Sequence, residues 1–95
     1  MLFPELEDIP PARRMSRFLE LSFEYRTSTP AELAEKLGYR KDTPVLQWMR
    51  GSAKVPLRHV SAIANFFSLD VADVLAPWLA QECPDDHQIV SVADR

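Results

Sequence analysis

The sequence has only one cysteine and only two glycines among its 95 residues. A single cysteine cannot form a disulfide within the chain, and an unpaired thiol is typical of a reducing compartment. No run of apolar residues approaches the roughly 18 that span a bilayer, and the first residues are acidic where a secretory signal would be basic. We therefore expect a cytoplasmic protein that is neither exported nor inserted in a membrane.

The sequence also lacks an overall excess of positive charge, since 11 basic and 14 acidic residues give a net charge of −3. By itself, this balance argues against a nucleic-acid partner. The distribution of charge along the chain argues for a nucleic-acid partner, because residues 13–58 hold ten Lys or Arg against five acidic residues, while residues 1–12 and 59–95 are acidic. The alternative explanation is a mixed surface that only solvates the domain.

The length fits one domain, and an apolar content of 46% is enough for a modest core. Three prolines in residues 1–11 predict an irregular N-terminal arm. Residues 12–82 form the predicted domain. Residues 83–95 are an acidic tail that is too short to support a sheet.

Apolar spacing and helix-end signals predict helices throughout the domain and no strand. The first helix covers about residues 12–25, with an apolar stripe formed by Met15, Phe18, Leu19, Ser22 and Tyr25. The second begins at Pro30, behind a hydroxyl of Ser28 or Thr29 that can cap it, and stops at Gly38.

Three further helices are predicted beyond Gly38. The third begins at Asp42-Thr43-Pro44 and ends at Gly51, and the fourth begins at Pro56 after a basic loop. The fifth follows the capping residue Asp70. Pro77 lies inside it and predicts a kink or an early end. The predicted inward-facing residues of the fourth helix are Val60, Ile63, Ala64 and Phe67. The fifth helix carries the apolar residues Val71, Val74 and Leu75, and Leu79 if it extends that far.

The segment Pro30-Ala-Glu-Leu-Ala-Glu-Lys-Leu-Gly38, with Val45 and Trp48 beyond it, resembles the helix-turn-helix of lambda-repressor-like, or XRE-family, regulators. The similarity continues through the basic loop and the segment that enters the fifth helix, and covers roughly residues 12–82. It implies an all-α, five-helix DNA-binding domain whose helix-turn-helix consists of helices two and three. In such a domain a small residue, here Ala34, lets these helices cross closely.

The same resemblance implies that Gly38 makes the turn and that Val45 and Trp48 anchor the recognition helix to the core. The distance from Gly38 to Val45 is one residue longer than in the commonest version of the turn, and Pro44 lies near the start of the helix. The register of the groove-facing residues is therefore open by about one position.

Helical phase predicts which side chains of the third helix contact DNA. If Val45, Trp48 and Met49 face inward, the outward side chains that can contact bases are Thr43, Leu46, Gln47 and Arg50. Thr43 could instead cap the helix. Contacts to phosphate are predicted from the flanking turns and helix starts, for Arg40, Lys41, Ser52, Lys54 and Arg58.

The fold and the placement of charge predict sequence-specific binding of double-stranded DNA, in the nucleoid. The family resemblance further implies a transcriptional repressor that occupies its operator. One helix-turn-helix contacts few base pairs, so we expect a homodimer. Trp78 and Leu79 are candidates for the dimer contact, although Trp78 could instead complete the core. Two alternatives are an antitoxin whose C-terminal region binds a partner protein, and an interaction module that has lost DNA binding.

Other side chains that could carry chemistry have simpler explanations. Cys83 and His87 are spaced like a fragment of a metal site but lack the other ligands that zinc requires. His59 has no neighbouring nucleophile and is expected to be a packed imidazole. Glu32 and Glu35 are typical of a solvated helix face. We therefore expect no metal, no cofactor and no enzymatic activity.

Overall fold

In a computed structural model of the protein, which describes residues 3–82, this part of the chain folds entirely into helices and contains no strand. The predicted all-α class is confirmed. The five α-helices are α1 (Arg14–Arg26), α2 (Pro30–Leu37), α3 (Thr43–Arg50), α4 (Val60–Phe67) and α5 (Val71–Glu82). Three short 3₁₀ helices accompany them, at Pro4–Asp8, Pro11–Arg13 and Leu57–His59.

The segment before α1 is more regular than the predicted arm. Proline begins both N-terminal 3₁₀ helices, because its fixed φ suits a first helical turn. Leu6 is completely buried in the core, and the ring of Phe3 lies edge-on to Phe18 with the ring centroids 5.8 Å apart. The Arg14 Nε donates a hydrogen bond to the Ile9 carbonyl. The described part of this segment therefore packs on the domain.

The buried stripe of α1 differs from the predicted one at its C-terminal end. Met15, Phe18, Leu19 and Ser22 are buried as predicted, but Tyr25 is 78% exposed. Phe23 is buried in its place, and its ring lies edge-on to Phe67 with a centroid distance of 5.2 Å. The prediction for Tyr25 was wrong because the core at this end lies on the side of α1 that carries Phe23.

Both ends of α2 are confirmed. The Thr29 hydroxyl oxygen accepts a hydrogen bond from the Glu32 amide at 3.2 Å, which caps one of the free amides of the first turn. Gly38 ends the helix with φ +92°, and the Tyr39 amide donates to the Ala34 carbonyl at 2.9 Å. This is the left-handed helix end that glycine favours.

Gly51 ends α3 in the same way, with φ +78°. A Cβ atom added there would lie 3.3 Å from the Ser16 Oγ of α1, which is a tight contact. Gly51 therefore allows both the left-handed conformation and the close approach of α3 to α1.

The start of α4 and the end of α5 differ from the predicted ones. Pro56 precedes a 3₁₀ helix, and α4 itself begins four residues later at Val60. The predicted early end near Ala76 is wrong, since α5 continues through Pro77 to Glu82. Pro77 removes one intrahelical hydrogen bond, but tertiary contacts offset this loss because Pro77 itself is buried, as are Ala80 and Gln81 of the following turn.

The inward face of α4 is confirmed, with all four predicted residues buried. The face of α5 is confirmed only in part. Val74 is buried, but Val71 and Leu79 are about half exposed, and Ala80 and Gln81 are buried instead. The last turn of α5 therefore contacts the core through Ala80 and Gln81, and not through Leu79.

The helices surround one core. The first helix, α1, packs against α3 and α5, and α2 contacts α3 and α4. In turn, α4 packs against α5. The middle helix α3 is thus held between α1 and α2, and its remaining face is directed away from the core.

Candidate nucleic-acid interface

The outward face of α3 carries three exposed side chains at helical spacing. Val45 and Trp48 are buried and fix the helix to the core, as predicted. Thr43, Gln47 and Arg50 are exposed, at positions separated by four and three residues, so they share one side of the helix. The fourth predicted base-contact residue, Leu46, is half-buried beside them.

Thr43 does not cap α3. It is the first residue of the helix, and the cap position before it belongs to Asp42, whose side chain makes no capping hydrogen bond. The alternative role considered for Thr43 is therefore wrong, and its exposed side chain is available at the N-terminal end of the α3 face.

An aromatic cluster formed by Tyr39, Trp48 and His59 supports the turn before α3. The Tyr39 ring lies edge-on to the rings of Trp48 and His59, with centroid distances of 6.1 Å and 5.5 Å. A hydrogen bond of 2.7 Å joins the Tyr39 hydroxyl to His59 Nε2. The cluster therefore links the turn, the inner face of α3 and the start of α4.

His59 is the packed imidazole that the sequence predicts. Burial lowers its pKa below the ordinary value, and the neighbouring Arg58 guanidinium lowers it further. The imidazole is consequently uncharged at neutral pH, which suits a ring packed between Tyr39 and Trp48.

The basic loop after α3 is held by two side chains of α5. The buried side-chain amide of Gln81 accepts a hydrogen bond from the Val55 amide and donates one to the Val55 carbonyl, both at 3.1 Å. The Trp78 indole N–H donates to the same carbonyl at 2.8 Å. These three bonds fix the loop backbone at Val55, which is itself buried.

The buried, hydrogen-bonded position of Gln81 was not predicted from the sequence. Gln81 lies seven residues after Val74, on the same face of α5. A polar side chain at that position of an apolar stripe is the signal that could have identified it, because a buried amide requires a hydrogen-bonding partner.

All five predicted phosphate-contact residues are exposed. They lie in the turn before α3, in the loop after it and in the following 3₁₀ helix, as Arg40, Lys41, Ser52, Lys54 and Arg58. The only acidic residue between Gly38 and Arg58 is Asp42. The structure therefore brings basic side chains to both ends of α3.

Two of these residues also make contacts within the protein. The Ser52 hydroxyl donates to the Gln47 carbonyl at 3.2 Å and thereby satisfies the end of α3. The Lys54 Nζ lies 3.9 Å from a carboxylate oxygen of Glu82. Because both side chains of this pair are solvated, the pair is weak and can open.

A groove beside α3 adds basic residues of the α1 region to this surface. Arg13, Ser16 and Arg17 line it together with Met49 of α3. Arg17 also lies 3.6 Å from Glu20 in an exposed ion pair. Both arginines belong to the basic segment 13–58, but their proximity to α3 depends on how the helices pack and does not follow from the sequence.

The remaining predicted residues divide between the described chain and the tail. Trp78 is half-buried and bonded to Val55, whereas Leu79 is 48% exposed. Cys83 and His87 lie outside the described residues. Within residues 3–82, no group of three or more potential metal ligands occurs, and none of the helices there has the length and apolar character needed to cross a bilayer.

Replacing Gln81 by alanine leaves the buried Val55 amide without its acceptor, so the free energy of unfolding should fall by about 1–3 kcal/mol. Urea denaturation measures this change, and hydrogen exchange should accelerate at the Val55 amide. Gln47→Ala is the matched control, because the same truncation on the exposed face of α3 should cost less than about 0.5 kcal/mol. Equal losses in the two variants would contradict the role assigned to Gln81.

Comparisons of the chain with protein-family models, with curated proteins and with solved structures find no match. The surface around α3 is therefore characterised by its own residues: an exposed helix face with an amide and a guanidinium, basic side chains at both ends, and a rigid attachment to the core.

Proposed function

We propose that the protein binds double-stranded DNA in a sequence-specific manner, with α3 inserted in the major groove. The observation that carries the proposal is the exposed face of α3, flanked at both ends by basic side chains and anchored from behind by Val45 and Trp48. The major groove of B-DNA is wide enough to admit one α-helix. In this proposal α2, the turn and α3 act as a lambda-repressor-like helix-turn-helix.

Base recognition falls to the side chains of the α3 face. Gln47 can form two hydrogen bonds with an adenine, and Arg50 can do the same with a guanine. The methyl group of Thr43 can contact a thymine methyl. Leu46 is half-buried and makes at most an apolar contact at the edge of the face.

Phosphate contacts come from the flanking residues. Arg40 and Lys41 precede α3, while Lys54 and Arg58 follow it, so the two groups can contact the backbone on either side of a groove that α3 occupies. The overall net charge of −3 does not oppose this arrangement, because the acidic residues lie mainly outside the segment 38–58. Association with DNA responds to the local field.

We further propose that two copies bind together and that the bound dimer represses transcription by occupying an operator. Leu79 and Val71 are large apolar side chains of α5 that remain about half exposed, and they offer a contact surface on a helix other than α3. A second recognition helix supplies the specificity that one helix lacks. Trp78 adjoins this surface but also holds Val55, so Leu79 is the cleaner residue to alter.

Selection of bound duplexes from a random pool tests both the function and the stoichiometry. We expect an inverted repeat with half-sites about 34 Å apart, one turn of the double helix. Leu79→Ser should lower the fraction of two-copy complexes in native mass spectrometry while leaving binding to a single half-site intact. Failure to enrich any sequence would contradict specific binding, and an asymmetric site bound by one copy would contradict the dimer.

Removal of single lysines tests the phosphate contacts. Lys41→Ala and Lys54→Ala should each weaken binding to every duplex and reduce the salt slope by roughly one unit, since one released counterion is lost. Fluorescence anisotropy over a series of salt concentrations measures the slope. Lys36→Ala is the control, because Lys36 lies beside Glu32 and Glu35 on another part of the surface. An unchanged slope in both test variants would remove these lysines from the interface.

Gln47→Ala tests base recognition. If Gln47 contacts a base edge, the variant should lose about 1–3 kcal/mol on the selected site and little on unrelated DNA. Competition binding with the selected and a scrambled duplex gives both values. Asn65→Ala, which truncates an exposed amide on α4, should change neither. Equal losses of Gln47→Ala on the two duplexes would show that Gln47 positions the helix without specifying sequence.

A further inference from the structure

A cavity of about 320 Å³ lies away from the α3 face, at the end of α1. Its residues come from the last two turns of α1, the end of α4 and the N-terminal segment, and are Phe3, Ser22, Tyr25, Arg26, Phe67 and Leu69. None of them belongs to the surface proposed to bind DNA. The volume falls at the lower end of the range for small-molecule sites in proteins.

One residue of the cavity wall, Ser22, has a buried hydroxyl group. Ser22 is only 2% exposed, and its hydroxyl has no hydrogen-bond partner among residues 3–82. A buried hydroxyl in that state destabilises the folded protein, and such groups are rare in native structures. An alanine in the middle of α1 would fit the apolar stripe and favour the helix. The serine therefore places a hydrogen-bonding group beside the cavity where an alanine would have none.

One turn further along α1, Arg26 supplies a cationic group at the same cavity. Ser22 and Arg26 are four residues apart and thus lie on one side of the helix. The Arg26 Nε donates a hydrogen bond to the Phe67 carbonyl at 3.0 Å, which fixes the side chain. The N–H groups of the two terminal guanidinium nitrogens are not used in this bond and can donate to a ligand. Within residues 3–82, no carboxylate oxygen pairs with this guanidinium.

The rest of the lining is apolar and largely aromatic. Phe3, Tyr25 and Phe67 contribute rings, and Leu69 contributes an aliphatic side chain. Aromatic walls favour a flat apolar ligand, while a guanidinium and a hydroxyl together favour a carboxylate. We propose that the cavity binds a small aromatic carboxylic acid, with its ring among the three aromatic side chains and its carboxylate accepting hydrogen bonds from Ser22 and Arg26.

Titration of the full chain with 3-phenylpropanoate, followed by ¹H–¹⁵N NMR, tests the proposal. We expect saturable shifts confined to the amides around the cavity, with 3-phenylpropanamide binding at least tenfold more weakly, because this amide has the same shape without the charge. Absence of saturable shifts for the acid would overturn the proposal, and so would equal affinities of the acid and the amide.

Ser22→Ala separates a ligand site from a packing defect. The variant should have a higher melting temperature than the parent without ligand, because the unpaired hydroxyl is gone. It should also bind 3-phenylpropanoate about tenfold more weakly, since one hydrogen bond to a charged group is lost. Ser61→Ala, an exposed serine of α4, is the matched control and should leave the affinity unchanged.

Arg26→Gln provides a second measurement that does not depend on the serine. Glutamine keeps an amide that can donate to the Phe67 carbonyl but removes the positive charge. The variant should bind the acid and the amide with similar affinity. If Ser22→Ala and Arg26→Gln both retain the parent's preference for the acid, neither side chain contacts the carboxylate and the proposal fails.

Discussion

The backbone of Val55 is the point on which the geometry of the α3 surface depends. The loop after α3 has no helical hydrogen bonds of its own, and its cations would otherwise move with a flexible segment. The side chains of Gln81 and Trp78 on α5 provide hydrogen-bond partners for the Val55 amide and carbonyl. As a result, the last helix of the described chain determines where the basic loop lies relative to α3.

The second constraint is the aromatic cluster on the other side of α3. Tyr39 follows the left-handed Gly38, and its ring packs on Trp48 and on His59. The lowered pKa of His59 keeps this imidazole neutral at physiological pH, so no charge has to be buried between the rings. The turn before α3 and the loop after it are thus both attached to the core by side chains, and their exposed residues keep fixed positions around the α3 face.

Local chemistry explains what could be predicted from the sequence. The Thr29 cap and the glycine ends of α2 and α3 involve residues close together in the chain, so their spacing is sufficient evidence. The predictions that failed concern features that depend on contacts between residues far apart in the sequence. The helix continues through Pro77 because Pro77, Ala80 and Gln81 are buried against the core, and the contact between Gln81 and Val55 joins residues 26 positions apart. Neither outcome follows from periodicity within a single helix.

The α1 helix contributes to both candidate sites with different parts of its length. Ser16 and Arg17 lie beside α3, while Ser22 and Arg26 line the cavity about two turns further on. A ligand in the cavity therefore does not touch the surface proposed for DNA. Two helices connect the sites: α1 carries residues of both, and α4 runs from the residue after His59 to Phe67. Energetic coupling between the sites follows where a ligand at one of them changes the arrangement or the flexibility of α1 or α4; where it changes neither, the two ligands bind independently.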